Sequence, residues 1–176
     1  DDIKFQIMLN FFLHRKRNII ALLIETKFII GNVYDITKIN RPLHHFTISI
    51  ISGEAFPKPL QSDKGEVVDP FIKLQVHGVD KDNSINFETK TVWDNGFNPV
   101  WNEVFDFDIY CLDLAYLRLS VYDKNNVAKD IFLCENIIPL NEVRLGYRQV
   151  PLRNESSKLV EGASILIHTA STRYEI

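Results

Sequence analysis

The chain has 176 residues, 20 basic against 23 acidic side chains for a formal charge of -3, and a hydrophobic share of 45%. That length suits one domain with a short appendage, and the apolar share is enough for a solid core. The slightly acidic balance excludes a general attraction to nucleic acid or anionic lipid, so any hold on phosphate must come from a local patch or a bound cation.

Residues 1–45 differ in character from the rest. Large apolar side chains crowd 3–13, His14-Arg15-Lys16-Arg17 makes a basic break, and 19–24 is apolar again. No stretch reaches the roughly 18–20 apolar residues that a membrane-spanning helix requires. A signal peptide needs a continuous apolar run and a small-residue cleavage site after its basic region. Here Glu25 and Lys27 interrupt the run. The segment is expected to be a short helical appendage, packed on a neighbouring domain or lying on a membrane surface. The chain opens on Asp1 instead of methionine, which reads as a piece of a longer protein.

From residue 46 onward apolar and polar residues alternate with the period of a half-buried strand. The segment 46–51 alternates and stops at Ser52-Gly53, and 71–76 alternates and stops at Gly78. The more polar 86–93, rich in Thr and Val, reads as a strand near an edge. The segments 101–109, 116–122, 131–140, 147–152 and 163–168 complete eight candidates, with a helical turn expected at 112–115. Short strands at such spacing, with no βαβ pattern, predict an all-β fold: an eight-stranded antiparallel β-sandwich over 46–172. Cys111 and Cys134 lack metal or redox spacing and read as buried thiols of a reducing compartment.

Three turn-rich loops are expected at one end of this sandwich: 57–70, 94–99 and 123–130. The most informative is Asp94-Asn95-Gly96-Phe97-Asn98-Pro99, where Asn-Gly and Asn-Pro force a sharp turn just before the strand at Trp101. Calcium takes six to eight oxygen ligands from carboxylates, amides, carbonyls and water. Asp and Asn on adjacent loops supply that inventory. The same side chains also stabilise turns by bonding their own backbone, so both readings stand.

Ile51-Ser52-Gly53, Pro57-Lys58-Pro59, Gly65-Glu66-Val67-Val68-Asp69-Pro70-Phe71, Val76-His77-Gly78-Val79, the 94–101 turn and Gly146-Tyr147-Arg148-Gln149-Val150-Pro151-Leu152 occur in order. Together they resemble the C2 domain of phosphoinositide-specific phospholipase C over about residues 46–170. The resemblance implies a C2-type sandwich that follows a catalytic barrel. The parent enzyme would hydrolyse phosphatidylinositol 4,5-bisphosphate to diacylglycerol and inositol trisphosphate in signalling. The implied partners are an anionic phospholipid surface and the parent's catalytic barrel, at a cytoplasmic, peripheral membrane location. The family's calcium loops map onto Asp69, Asn95 and Asp123, with the Val68 carbonyl as a backbone ligand. Two departures stand out: one family acid falls on Asn125, and a later one on Ile131, beside which Asp130 is the available substitute. Fewer carboxylates imply weak calcium binding or none.

Within these residues no catalytic constellation is visible. His14, His44, His45, His77 and His168 are scattered, and no nucleophile elbow or phosphate-cradling glycine loop occurs. Trp101, Phe105 and Phe107 read as core or strand-end packing, and Lys58, Lys64 and Lys73 as a solvated face. Tyr147-Arg148 could set a cation beside a ring. The module is expected to serve membrane association and interdomain packing, or alternatively as a calcium-independent scaffold or protein-interaction module.

Overall fold

Eight strands account for the architecture of the computed structural model, which describes residues 40–59 and 67–175. They are β1 (His44–Glu54), β2 (Pro70–His77), β3 (Asn86–Glu88), β4 (Val100–Ile109), β5 (Tyr116–Asp123), β6 (Ile131–Pro139), β7 (Gly146–Arg153) and β8 (Leu159–Arg173). Among the described residues, three single 3-10 turns lie at Asp82–Ser84, Leu112–Leu114 and Leu140–Glu142, the second of them where a helical turn is expected. Of the helical appendage expected over 1–45, residues 1–39 lie outside the described residues, and His44 and His45 already belong to β1. No described helix is long and apolar enough to cross a membrane.

Every strand pair is antiparallel, in the order β3-β2-β5-β6-β7-β8-β1-β4. β6 and β7 share only the Glu135–Arg153 register pair, so the sheet folds over there into a sandwich. The layer β3-β2-β5-β6 meets the layer β7-β8-β1-β4 across one apolar core. Period-two alternation puts Ile48, Ile50, Ile72, Leu74, Leu117, Leu119, Ile165 and Ile167 inside, all at most 1% exposed. Each such side chain contributes roughly 1.5–3 kcal/mol through burial. At the open edge Phe87 of β3 stacks on Phe105 of β4, centroids 5.2 Å apart. Phe107 is buried, and Trp101 and Phe105 pack at the core's margin.

Three strands differ from expectation, β8 among them, which runs from Leu159 to Arg173 and overshoots the expected 163–168 at both ends. β1 starts at His44 and runs past Ser52-Gly53 through a bulge, because its register with both neighbours shifts between Ile50 and Ser52. β3 ends at Glu88, not at 93. Thr89 instead turns its hydroxyl to accept the Ile72 N–H, and the Val92 N–H reaches the Pro70 carbonyl. That turn carries 89–99 over the end of the sheet.

Register defines two poles. Pro70 pairs with Asp123 and Asp123 with Ile131, Ser52 with Val100, and Arg153 with Leu159. The described parts of the β1–β2 connection, 55–59 and 67–69, and the connections 89–99, 124–130 and 154–158 therefore share one pole. The ends of the described fold lie at the other, where Leu43 donates to Ile109 and Tyr174 donates to Leu43.

Candidate functional site

The loop pole is built by close approach of backbone. Gly96 lies so near Val68 that a Cβ there would come within 2.7 Å of the Val68 Cβ, closer than carbon atoms tolerate. Its carbonyl accepts the Phe56 N–H at 3.0 Å, and the Phe97 carbonyl accepts the Ala55 N–H at 2.8 Å. Asp94 takes a left-handed φ of 53°, a conformation that Asx residues tolerate better than most. Asn95 Oδ1 accepts the Asn98 N–H at 3.0 Å and closes the turn. The Trp101 indole N–H donates to the Lys90 carbonyl at 2.8 Å and clamps the loop's far side.

Around this turn the three expected loops converge. The Asp69 N–H donates to Asp123 Oδ1 at 2.8 Å, and the Asp94 N–H donates to Asp69 Oδ1 at 2.6 Å. The Lys124 N–H returns to the Asp69 carbonyl at 3.0 Å. Asp123 is 6% exposed, and Val68 is buried beneath the turn. Asn125 Oδ1 accepts the Val127 and Ala128 N–H groups at 2.9 and 2.8 Å. Asp130 accepts the Asn125 N–H at 3.1 Å on one oxygen and the Lys124 ammonium at 3.2 Å on the other. Burial alone would raise the Asp130 carboxyl, but the Asn125 N–H and the Lys124 and Lys73 charges hold it below the ordinary value.

The donor set fits a calcium ion poorly. Calcium needs several oxygens aimed at one point. Here Asp69 and Asp123 stand together, yet each turns an oxygen to an N–H of a neighbouring loop. The oxygens of Asn95 and Asn125 serve their own turns. Asp130 faces Lys124, and Ile131 brings an aliphatic side chain to the start of β6, 40% exposed. Among the described residues no group of three or more His, Cys, Asp or Glu side chains is arranged to hold a metal.

Cations and rings cover the adjoining outer surface. Phe71 stacks on Tyr122 at 5.7 Å, and Tyr122 meets Phe132 edge-on at 5.7 Å. Lys124 lies 5.3 Å over the Phe71 ring, and Lys73 lies 5.1 Å over Tyr122 while pairing with Glu88 at 2.6 Å. Lys64 falls outside the described residues. The Arg148 guanidinium donates to the Tyr147 carbonyl at 2.7 Å, and the Tyr147 ring lies against His168, 4.6 Å between centroids. His45, the second residue of β1, bonds Asp108 at 2.8 Å. Cys111 and Cys134 are buried and in no disulfide, and burial pushes the Cys134 thiol up to about 12.

One feature of the pole escapes the strand pattern. Val67, Trp93, Phe97, Val127 and Ile131 are all exposed there, Phe97 at 74% and Val127 at 99%. Three loops each hold at least one large apolar side chain in water beside carboxylates and the exposed Lys129. The available signal is an aromatic or branched residue inside a turn rich in Asn, Asp and Gly, where a core residue has no place.

The chain is similar to proteins of known kind. The family model described as "C2 domain" matches residues 44–155. Inactive phospholipase C-like protein 2 of Homo sapiens is 37% identical over 150 residues, which are 84% of this chain and 13% of that protein. The 1-phosphatidylinositol 4,5-bisphosphate phosphodiesterase eta-2 of Mus musculus is 36% identical over 126 residues, 70% of this chain and 8% of that protein. The chain thus spans a small fraction of the curated relatives it matches. The crystal structure of L. pealei PLC21 superposes with a TM-score of 0.63 at 30% identity, covering 78% of this chain and 17% of that one.

Proposed function

The chain belongs to the C2 domain family, and on that premise we propose that it is the membrane-associating C2 module of a phosphoinositide phospholipase C-type protein. One observation carries the reading: Val67, Trp93, Phe97 and Val127 stand exposed on converging loops at one pole, with Ile131 exposed beside them at the start of β6. Moving such side chains from water into the headgroup region is favourable by roughly 1.5–3 kcal/mol each when burial is complete. Lysines beside them, Lys129 among them, suit anionic phospholipid headgroups. Together the two terms give reversible, peripheral attachment at a cytoplasmic membrane face, with calcium adding little.

In the parent protein the module's second task is to pack on a catalytic barrel and orient it. The described ends of the fold support this, because Leu43 and Tyr174 lie at the pole away from the loops. A barrel joined there leaves the apolar tips free for lipid. The parent activity is hydrolysis of phosphatidylinositol 4,5-bisphosphate to diacylglycerol and inositol trisphosphate, a reading supported by relatives named phosphodiesterases. A second reading, a calcium-independent scaffold or protein-interaction module, is favoured by relatives of 36–38% identity that are named inactive phospholipase C-like proteins.

Sedimentation with phosphatidylcholine vesicles containing phosphatidylserine tests the membrane reading. The double variant W93A/F97A should lose about tenfold or more in partitioning while its melting temperature stays near that of the parent sequence. Undiminished pelleting of that variant would move the attachment elsewhere on the molecule.

A further inference from the structure

The third loop carries its own cation. Lys124 follows Asp123 directly, and its N–H is fixed to the Asp69 carbonyl at 3.0 Å. Its side chain lies over the Phe71 ring at 5.3 Å and meets Asp130 Oδ2 at 3.2 Å. Phe71 is 2% exposed, so the Lys124 ammonium lies over a fixed, buried ring and not over mobile surface. The other Asp130 oxygen accepts the Asn125 N–H at 3.1 Å, so the carboxylate is held from two sides within its own loop.

A shared metal at this pole would need Asp130 to turn toward Asp69 and Asp123, because Ile131 next to it offers no oxygen. Such a turn would break the Lys124 and Asn125 contacts and leave the ammonium close to a divalent ion, where like charges repel. Asp69 and Asp123 would still be spending oxygens on the N–H groups that tie the loops together. Two carboxylates without Asp130, or three beside an unpaired ammonium, make a poor calcium site. The loops meanwhile already have the convergence that a bridging ion would otherwise impose.

We infer that Lys124 is the resident cation of this pole, withholding Asp130 from calcium so that the preformed loop tips engage a lipid surface without the metal. The lipid half of this inference rests on the membrane reading above, while the Lys124 half concerns the chain alone. Lys124 acts here as a positioning residue: it sets where the Asp130 carboxylate points.

Two measurements on the 176-residue chain separate the halves. In the first, the parent sequence, K124R and K124Q are melted with about 1 mM calcium chloride and with a chelator. The parent sequence and K124R should melt alike in both buffers, whereas K124Q should gain roughly 3–5 °C in calcium. The double variant K124Q/I131D, which returns a carboxylate to the start of β6, should respond at least as strongly. Calcium stabilisation of the parent sequence would overturn the inference, and so would indifference of K124Q, even where K124Q/I131D responds.

In the second, the parent sequence is sedimented with phosphatidylserine-containing vesicles in the same two buffers. Equal pelleting is the expected result. Pelleting that requires calcium would overturn the inference while leaving the membrane reading intact. No pelleting in either buffer would end the membrane reading and the lipid half with it, and the melting arm would still decide the role of Lys124.

Discussion

The Asp69 backbone N–H donates to the Asp123 carboxylate at 2.8 Å although 54 positions separate them in the chain. This bond joins the loop that enters β2 to the loop that leaves β5, and the Asp94 N–H on Asp69 Oδ1 adds the third loop. A nearly buried carboxylate thus works as a structural acceptor at the heart of the pole.

Asp123→Ala should therefore destabilise the chain by about 2 kcal/mol, since it strands a part-buried donor that a charged acceptor now satisfies. Asp123→Asn keeps an oxygen and should cost less than half as much. Urea unfolding of both variants checks the order. An alanine variant within about 0.5 kcal/mol of the parent sequence would mean the three loops hold together without this link.

How much of this was legible in the sequence depends on the kind of contact. Alternation names all eight strands, because burying every second side chain leaves a mark at 71–76 or 116–122 that no partner is needed to read. It fails at 89–93, where Thr89 satisfies the Ile72 N–H through its hydroxyl and the chain leaves the sheet with strand-like residues. Convergence of Asp69 and Asp123 is likewise implied by their Asx-rich loops. The use of their oxygens is not, since a carboxylate that binds a metal and one that accepts an N–H are spelled alike. Lys124 and Asp130 make the same point: only the fold shows that the cation sits against that acid.

Gly96 and Gly146 are both glycines for physical reasons, but different ones. Gly96 lacks room, with the Val68 Cβ 2.7 Å from where its own would stand, whereas Gly146 has open space and a φ of 85°. Gly96→Ala should cost about 1–3 kcal/mol through overpacking. Gly146→Ala should cost about 1 kcal/mol through backbone strain alone. Hydrogen exchange distinguishes them. The Ala55 and Phe56 amides, bonded to the Phe97 and Gly96 carbonyls, should exchange faster in the Gly96 variant only. Equal acceleration in both would show that the effect is global unfolding and not displacement of the turn.

Asp82 and Asp108 answer pH in opposite senses. Asp82 is fully buried at the far pole, and burial raises its carboxyl above the ordinary 3.8 although the Tyr110 and Cys111 N–H groups partly oppose the rise. The folded state holds that proton more tightly than the unfolded chain. Its contribution is therefore full below 3.8 and declines as pH climbs through the raised value. Asp108 is lowered by its hydrogen bonds to His45 and Tyr174. Its contribution is present above 3.8 and is lost as pH falls through the depressed value. Unfolding free energies measured between about pH 3 and pH 7 should show the cost of Asp82→Ala shrinking with rising pH and that of Asp108→Ala growing. Parallel trends would sink the assignment of either group.

Arg118 and Glu135 give the sharpest stability test, because the acid is 1% exposed on a strand next to the arginine's own. Arg118 Nε donates to Glu135 Oε2 at 2.8 Å, and one terminal nitrogen donates to Gln75 Oε1 at 2.9 Å, so the guanidinium spans β2, β5 and β6. Arg118→Ala takes the cation from a carboxylate that water barely reaches and should cost about 3–5 kcal/mol. Arg118→Lys cannot serve both acceptors with one fork and should recover only part of that loss. The double variant R118M/E135L removes the charge with its partner and should stay within about 2 kcal/mol of the parent sequence, which makes the coupling in a double-mutant cycle large. A loss below about 1 kcal/mol for Arg118→Ala would mean that another cation carries Glu135. Its cross-strand register partner Arg153 is then the residue to remove next.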